Sequence, residues 1–202
     1  MSVIIAITGV TGAGKTTIAN RFASAVFEIH AAPLLCDAAR RAFPFLRHSQ
    51  QNRWDAWPVN PATMDIDRLL NITLRKAHES LEKNRGPVLV EGCVISQDWF
   101  RIPLFEQIRS ICRFGPEIAI HQFDLIPPAR VLQRQIFKRG VRNQVEKFSD
   151  LSYVQQQIEQ ARRRASTGWK RFSDTASLEL AIRNALAQHG FVQQEMPFQR
   201  AA

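Results

Sequence analysis

The 202-residue chain holds only three cysteines, Cys36, Cys93 and Cys112, and no two of them form a CxxC pair. An odd count at such spacing excludes a disulfide framework and a cysteine-based zinc site, and fits reduced thiols. No apolar run approaches the ~20 residues that a membrane-spanning helix needs. The apolar start, Val3 to Ile7, is short and has no basic segment before it, unlike a secretory signal. A cytoplasmic protein is expected. Internal repeats, low-complexity tracts and linker-like stretches are also missing. Acidic residues are scarce, 18 Asp plus Glu against 27 Lys plus Arg, so the formal charge is +9.

Hydrophobic residues at 45% and charged residues at 22% match a globular protein and exclude a disordered, collagenous or coiled-coil chain. The length suits a single domain, 1–202, that buries enough surface to need no covalent or metal staple. The basic surplus is open to three readings. Clustered Lys and Arg bind nucleic-acid backbones, serve small phosphorylated ligands, or simply solvate a surface. Charge alone does not choose among them.

Ser2 to Thr8 is β-branched and apolar and stops at Gly9, as a buried strand does. From Thr16 to Val26 the apolar residues Ile18, Phe22 and Val26 recur at a four-residue step, which predicts a helix. Further strands are expected at Phe27–His30, Val88–Glu91, Glu117–Phe123 and Trp169–Phe172. Helices are expected at Asp37–Phe43, Asp65–Lys83, Gln97–Arg113 with a break near Pro103, Pro127–Lys138, Leu151–Arg164 and Ser177–Gln188. Pro44–Pro61 reads as an irregular insert and Gly140–Asp150 as a polar loop. Strands alternating with helices predict a parallel sheet covered on both faces.

Gly9-Val-Thr11-Gly12-Ala13-Gly14-Lys15-Thr16 matches the pattern G-x-x-x-x-G-K-[ST], between an apolar strand and an amphipathic helix. Glycines at these positions let successive backbone N–H groups face inward and make an anion cradle, with Thr17 next to it. Lys15 is placed to reach the β- and γ-phosphates of a nucleoside triphosphate, and the Thr16 hydroxyl to ligate Mg²⁺. ATP and Mg²⁺ are therefore the expected ligands.

Phosphate binding is not yet a reaction. A Ras-type GTPase is disfavoured, since no DxxG follows the second strand and no NKxD exists to read guanine. Motor and transport ATPases carry Asp at the end of a hydrophobic strand, where Val88-Leu-Val-Glu91 has Glu. Arg130, Arg134 and Lys138 line one helix face, followed by Arg139 and Arg142 around Gly140. Such a segment, approximately 128–165, is suited to a lid that brings arginines over the γ-phosphate and excludes water; a solvated basic face is the alternative. Asp37 and Glu91 follow candidate strands two and three, at the carboxyl ends that form the ligand crevice of this topology. Either suits the work of orienting or deprotonating an acceptor hydroxyl, or of holding Mg²⁺ through water, with Glu91 the metal candidate beside Thr16. For Asp37 the alternative is an N-cap.

The phosphate loop, the Val88-Leu-Val-Glu91-Gly92 strand and Leu132-Gln-Arg134 ahead of a basic turn together resemble the P-loop small-molecule kinases. That group holds nucleoside, nucleoside monophosphate, shikimate and gluconate kinases. The resemblance implies a three-layer α/β fold with a five-stranded parallel sheet, a helical lid, and an acceptor-binding region at approximately 35–81. His30-Ala-Ala-Pro-Leu-Leu-Cys-Asp37-Ala-Ala-Arg40-Arg41-Ala-Phe43 is similar to the segment after strand two in phage-type deoxynucleoside monophosphate kinases. It departs from them in Ala32, where they tend to have Asp, and in Cys36, near their basic residue. Glu91-Gly92 resembles the strand-end acid that deoxynucleoside kinases turn toward the acceptor hydroxyl.

By that similarity Arg40 or Arg41 meets an acceptor phosphate, and Trp54 or Trp57 stacks on a base or else packs within the insert. The segment Trp169–Thr175 would lie beside adenine, with Arg134 or Arg139 over its other face. The expectation is an ATP-dependent kinase acting on a nucleoside or (deoxy)nucleoside monophosphate. The alternatives are a nucleic-acid-binding ATPase or polynucleotide end kinase, and a kinase for a shikimate- or gluconate-like metabolite. A small molecule is the expected partner.

Overall fold

In the computed structural model, residues 2–42, 66–82, 84, 86–111, 118–140, 142–164 and 168–191 are described. Five strands, β1 (Ser2–Gly9), β2 (Phe27–His30), β3 (Val88–Glu91), β4 (Ile118–Leu125) and β5 (Lys170–Phe172), form one sheet in the order β2-β3-β1-β4-β5. Every pairing is parallel. Val3 to Ile7 are fully buried, as a central strand covered on both faces requires.

Alternate β1 side chains feed two apolar layers. Ile5 and Ile7 pack with Phe22, Leu125, Leu132, Ile136, Leu178 and Ile182. On the other face Ile4 and Ala6 pack with Leu35, Leu69, Leu81, Val90, Phe100 and Leu104. The first layer is supplied by α1 (Lys15–Ala19), α5 (Ala129–Arg139), α7 (Leu151–Arg164) and α8 (Thr175–Gln188). The second comes from α2 (Ala31–Ala42), α3 (Ile66–Leu81) and α4 (Asp98–Ile111). The result is a three-layer α/β sandwich.

Several elements differ from the sequence expectation, each for a physical reason. The helix expected over Thr16–Val26 is α-helical only to Ala19. Beyond it Arg21 N bonds to Ile18 O and Phe22 N to Ala19 O, an i→i−3 pattern. Ile18, Phe22 and Val26 stay buried all the same, because their spacing sets which side faces the core and not the hydrogen-bond pattern.

Helix α2 starts at Ala31 directly after β2 and not at Asp37. Pro33 does not stop it, since in the first helical turn the N–H it lacks has no partner to lose. The stretch read as a loop contains α6 (Arg142–Phe148). Its buried Phe148 and half-buried Val145 are too few to mark a periodic face. Gln133 Nε2 holds its end, donating to Phe148 O at 2.8 Å. Strand β4 runs two residues past the expected end, through Asp124 to Leu125. Asp124 stays within the strand because its carboxylate is paired with Arg171 of β5. Helix α8 begins two residues early because Asp174 caps it, accepting from Ser177 N at 2.7 Å.

At β1 the connection direction reverses, with β3 on one side and β4 on the other. The ligand crevice of such a sheet opens at the carboxyl ends of these central strands. Gly9 is the hinge there. At φ +135° it is in backbone space that L residues avoid, and a Cβ would lie 2.1 Å from Leu125 O. Gly9→Ala is therefore expected to separate β1 from β4 locally. Thermal unfolding should show a midpoint lowered by at least ~10 °C, or no soluble protein. An unchanged midpoint would mean that the strand ends are not packed in this way.

Candidate active site

The turn between β1 and α1 brings the loop residues of the motif together. Gly12 and Gly14 also take positive φ, +87° and +98°. Ala13 N donates to Val10 O at 3.2 Å, closing the turn. At Gly12 a Cβ would come within 2.7 Å of Ile136 Cγ1, so α5 lies directly against the loop. Thr11 is half-buried, while Thr16 and Thr17 are exposed at the start of α1.

Lys15 is buried, and its Nζ donates to the Gly9 and Val10 carbonyls at 3.2 and 2.9 Å. Burial pushes its ammonium below the usual lysine range. The neighbouring Cys93 and Glu91 draw it back up, while the charge of Arg139 adds to the depression. The cation is thus held partly desolvated against two backbone carbonyls.

Glu91 ends β3 and is buried, with Gly92 N tied back to Ile7 O at 3.0 Å. Thr16 Oγ1 donates to Glu91 Oε1 at 3.0 Å across 75 residues of sequence. His30 Nδ1 lies 3.0 Å from the same oxygen, and His30 Nε2 lies 3.3 Å from Glu28 Oε2. Burial raises the Glu28 carboxyl, and the imidazole opposes that rise. His30 was not singled out in the sequence. The signal for it is the parallel register, which sets His30 opposite Glu91 once the two strand ends are aligned.

Asp124 is a second residue that sequence reasoning missed. It is fully buried on β4 opposite Thr8, and its Oδ2 accepts from Arg171 Nε at 3.0 Å. Burial pushes its carboxyl up, opposed by Arg171 and then by Lys15. A lone acid followed by Leu125-Ile126 inside an apolar stretch was the available clue.

The other expected residues are more dispersed. Asp37 is not an N-cap; it stands inside α2, half-exposed, with its Oδ2 3.1 Å from Lys76 Nζ of α3. Arg41 is exposed on the same helix. Arg134 and Arg139 are exposed on α5, and Arg139 is near enough for its charge to act on Lys15. The segment expected as a lid is three helices, α5, α6 and α7, anchored through buried Leu132, Ile136, Phe148, Val154 and Ile158. Trp54 and Trp57, and the side chains of Arg40 and Arg142, lie outside the described residues.

Thr16 and Glu91 present hard oxygen donors side by side at the phosphate loop, the kind that Mg²⁺ takes. Among the described residues no three His, Cys, Asp or Glu side chains gather into a cage. Mg²⁺ bound together with phosphates and water needs only one or two protein oxygens, so this donor set fits it. Beside the loop lies a pocket of about 340 Å³, between Ala13, the start of α5 and the turn at Ser173–Thr175.

No protein-family model matches the sequence, and a search of curated proteins finds no match either. Solved structures do resemble it. TT1252 from Thermus thermophilus aligns at 19% identity and a TM-score of 0.57, over 96% of this chain and 99% of that one. The tunicamycin resistance protein of Deinococcus radiodurans aligns at 19% identity and a TM-score of 0.55, over 98% and 100%. At this identity the likeness is one of fold. The chain shares with them a three-layer α/β fold built on a five-stranded parallel sheet.

Proposed function

We propose that this chain is an ATP-dependent kinase that transfers the γ-phosphoryl group to a small acceptor, a nucleoside or a (deoxy)nucleoside monophosphate. The observation that carries the reading is the Thr16–Glu91 hydrogen bond beside buried Lys15. It brings a buried ammonium, a hydroxyl and a strand-end acid to one point of the crevice. A merely structural loop would have no use for that combination.

In the proposed reaction an acceptor oxygen forms a bond to the γ-phosphorus as the bond to the β,γ-bridging oxygen breaks, and ADP leaves. The loop amides and Lys15 hold the β- and γ-phosphates and take up the negative charge that shifts toward the bridging oxygen. Mg²⁺, when bound, neutralises the β- and γ-oxygens. Thr16 and, through water, Glu91 would hold it. Glu91 also accepts the acceptor proton or orients the nucleophile. His30 keeps its carboxylate aimed. Arg134, Arg139 and Arg142 supply positive charge from the α5–α6 side as that segment closes. Asp37, engaged by Lys76, belongs to the acceptor side with Arg40, Arg41, Trp54 and Trp57.

An acceptor panel tests the reading. Nucleosides, nucleoside monophosphates, sugar acids and a short oligonucleotide are each supplied with ATP and Mg²⁺, and ADP release is followed. A nucleoside or monophosphate should stimulate release at least ~100-fold over water. Stimulation by a sugar acid alone would move the substrate class. Stimulation by the oligonucleotide alone would replace it with polynucleotide chemistry.

A further inference from the structure

We infer that Glu28 is a positioning residue for Glu91, acting through His30 by sharing one proton with the imidazole. This deepens the kinase reading above and rests on its choice of Glu91 as the acid that meets the acceptor. Glu28 and His30 stand two residues apart on β2, so both side chains leave one face of the strand. The imidazole lies between two carboxyl groups. Its Nδ1 is 3.0 Å from Glu91 Oε1 and its Nε2 is 3.3 Å from Glu28 Oε2. The side chains of Glu91 and Glu28 are only 6% and 13% exposed, so water satisfies neither well. The bonds to Glu91 from Thr16 and His30 both fall on Oε1, which leaves Oε2 for the acceptor proton.

A neutral imidazole has one N–H and one bare nitrogen. Two ionised carboxylates, one at each nitrogen, compete for that single donor. When the hydrogen sits on Nε2, Glu28 takes it and the bare Nδ1 meets Glu91 Oε1 lone pair to lone pair. One additional proton ends the competition. Whether it resides on Glu28 or on the imidazole, Nδ1 keeps its hydrogen and donates it to Glu91. The surroundings of Glu28 favour that proton. Its Oε1 is buried with no hydrogen-bond partner, a poor setting for full negative charge. Burial raises the Glu28 carboxyl, His30 opposes the rise, and the charge of Glu91 adds to it.

As pH rises and the shared proton leaves, the imidazole N–H is divided between the two acids and Glu91 loses its fixed orientation. Other titratable and charged groups lie near. Lys15 of α1 couples to Glu91, to Cys93 in the turn after β3 and to Arg139 of α5. Asp37 of α2 is held by Lys76 of α3. All of these are retained when Glu28 alone is replaced, so a difference between the two chains belongs to the Glu28–His30 pair.

Long-range proton–nitrogen spectra of the chain carrying isotope-labelled histidine show which ring nitrogen bears hydrogen. The His30 signals are identified by their loss in His30→Asn. Between about pH 6 and about pH 9, the wild-type Nδ1 should start protonated and its N–H population should fall ~3-fold. In Glu28→Gln the amide donates to Nε2, and Nδ1 should stay protonated throughout. Over the same range kcat for ADP release is measured with ATP, Mg²⁺ and a mixture of the four deoxynucleosides and their monophosphates. It should fall ~3-fold further in the wild type than in Glu28→Gln, with the KM for ATP following one course in both. A wild-type Nδ1 that is bare at neutral pH, or spectra that titrate alike in the two chains, would overturn the role of Glu28 and leave the kinase reading standing. ADP release that the mixture does not stimulate would remove the kinase reading, and this role with it, whatever the spectra show. Should Glu28→Gln not fold, the wild-type titration decides alone.

Discussion

Replacing Lys15 with Met should lower turnover at least about a thousand-fold, with the thermal midpoint within a few degrees of wild type. Methionine keeps the length and buried volume of the side chain and removes its charge. The lost charge is one that would stabilise the transferring phosphoryl group, where no other buried cation substitutes among the described residues. The structural loss is small, because the ammonium is held at a desolvation cost that offsets its bonds to the Gly9 and Val10 carbonyls.

That cost has a pH signature. A lysine depressed in the folded state releases its proton before the unfolded chain does. The wild type should therefore gain stability as pH rises from the lowered Lys15 value toward the ordinary 10.5. Lys15→Met should lack that increment when the two unfolding curves are subtracted. Steady-state rates and paired denaturation curves between neutral and alkaline pH provide the check. Retained turnover would end the phosphate-loop mechanism. A collapse in stability with the rate would make Lys15 a clamp of the loop.

Glu91→Gln should lower kcat by about 100-fold while changing the dissociation constant of ATP less than threefold. The amide keeps an oxygen for the Thr16 hydroxyl, so the loop stays in place. It loses the negative charge that makes the oxygen a base and a partner for hydrated Mg²⁺. Half-saturation by Mg²⁺ should therefore shift upward together with the fall in kcat. The split matters, because a residue serving only the fold would move stability and leave both kcat and the Mg²⁺ requirement alone. Rapid-quench rates over a Mg²⁺ titration separate the two. An unaltered kcat would reduce Glu91 to a buried structural acid held by Thr16 and His30.

The phosphate loop was legible because its determinants sit within eight consecutive residues. Gly9, Gly12 and Gly14 are needed for local backbone angles, and Lys15 and Thr16 follow in the same turn. Strands β1, β2 and β3 were also legible, as short apolar runs ending at turn residues. The exceptions have physical causes. Pro33 looks like a helix breaker in a list of residues but is harmless in a first turn. Asp124 looks like the end of a strand but is carried inside it by the guanidinium of Arg171, 47 residues away.

What the sequence by itself determined is the fold and one local constellation: a glycine-rich turn, a lysine and a hydroxyl at one strand end, in a chain patterned as a parallel sheet under helices. These follow from contacts between neighbours along the backbone. Only the tertiary structure decided which acid stands beside that turn and which histidine steadies it. Residues 16, 30 and 91 meet because parallel pairing brings the carboxyl ends of separate strands to one edge. No local spacing encodes that meeting, since it depends on the order in which the strands pack.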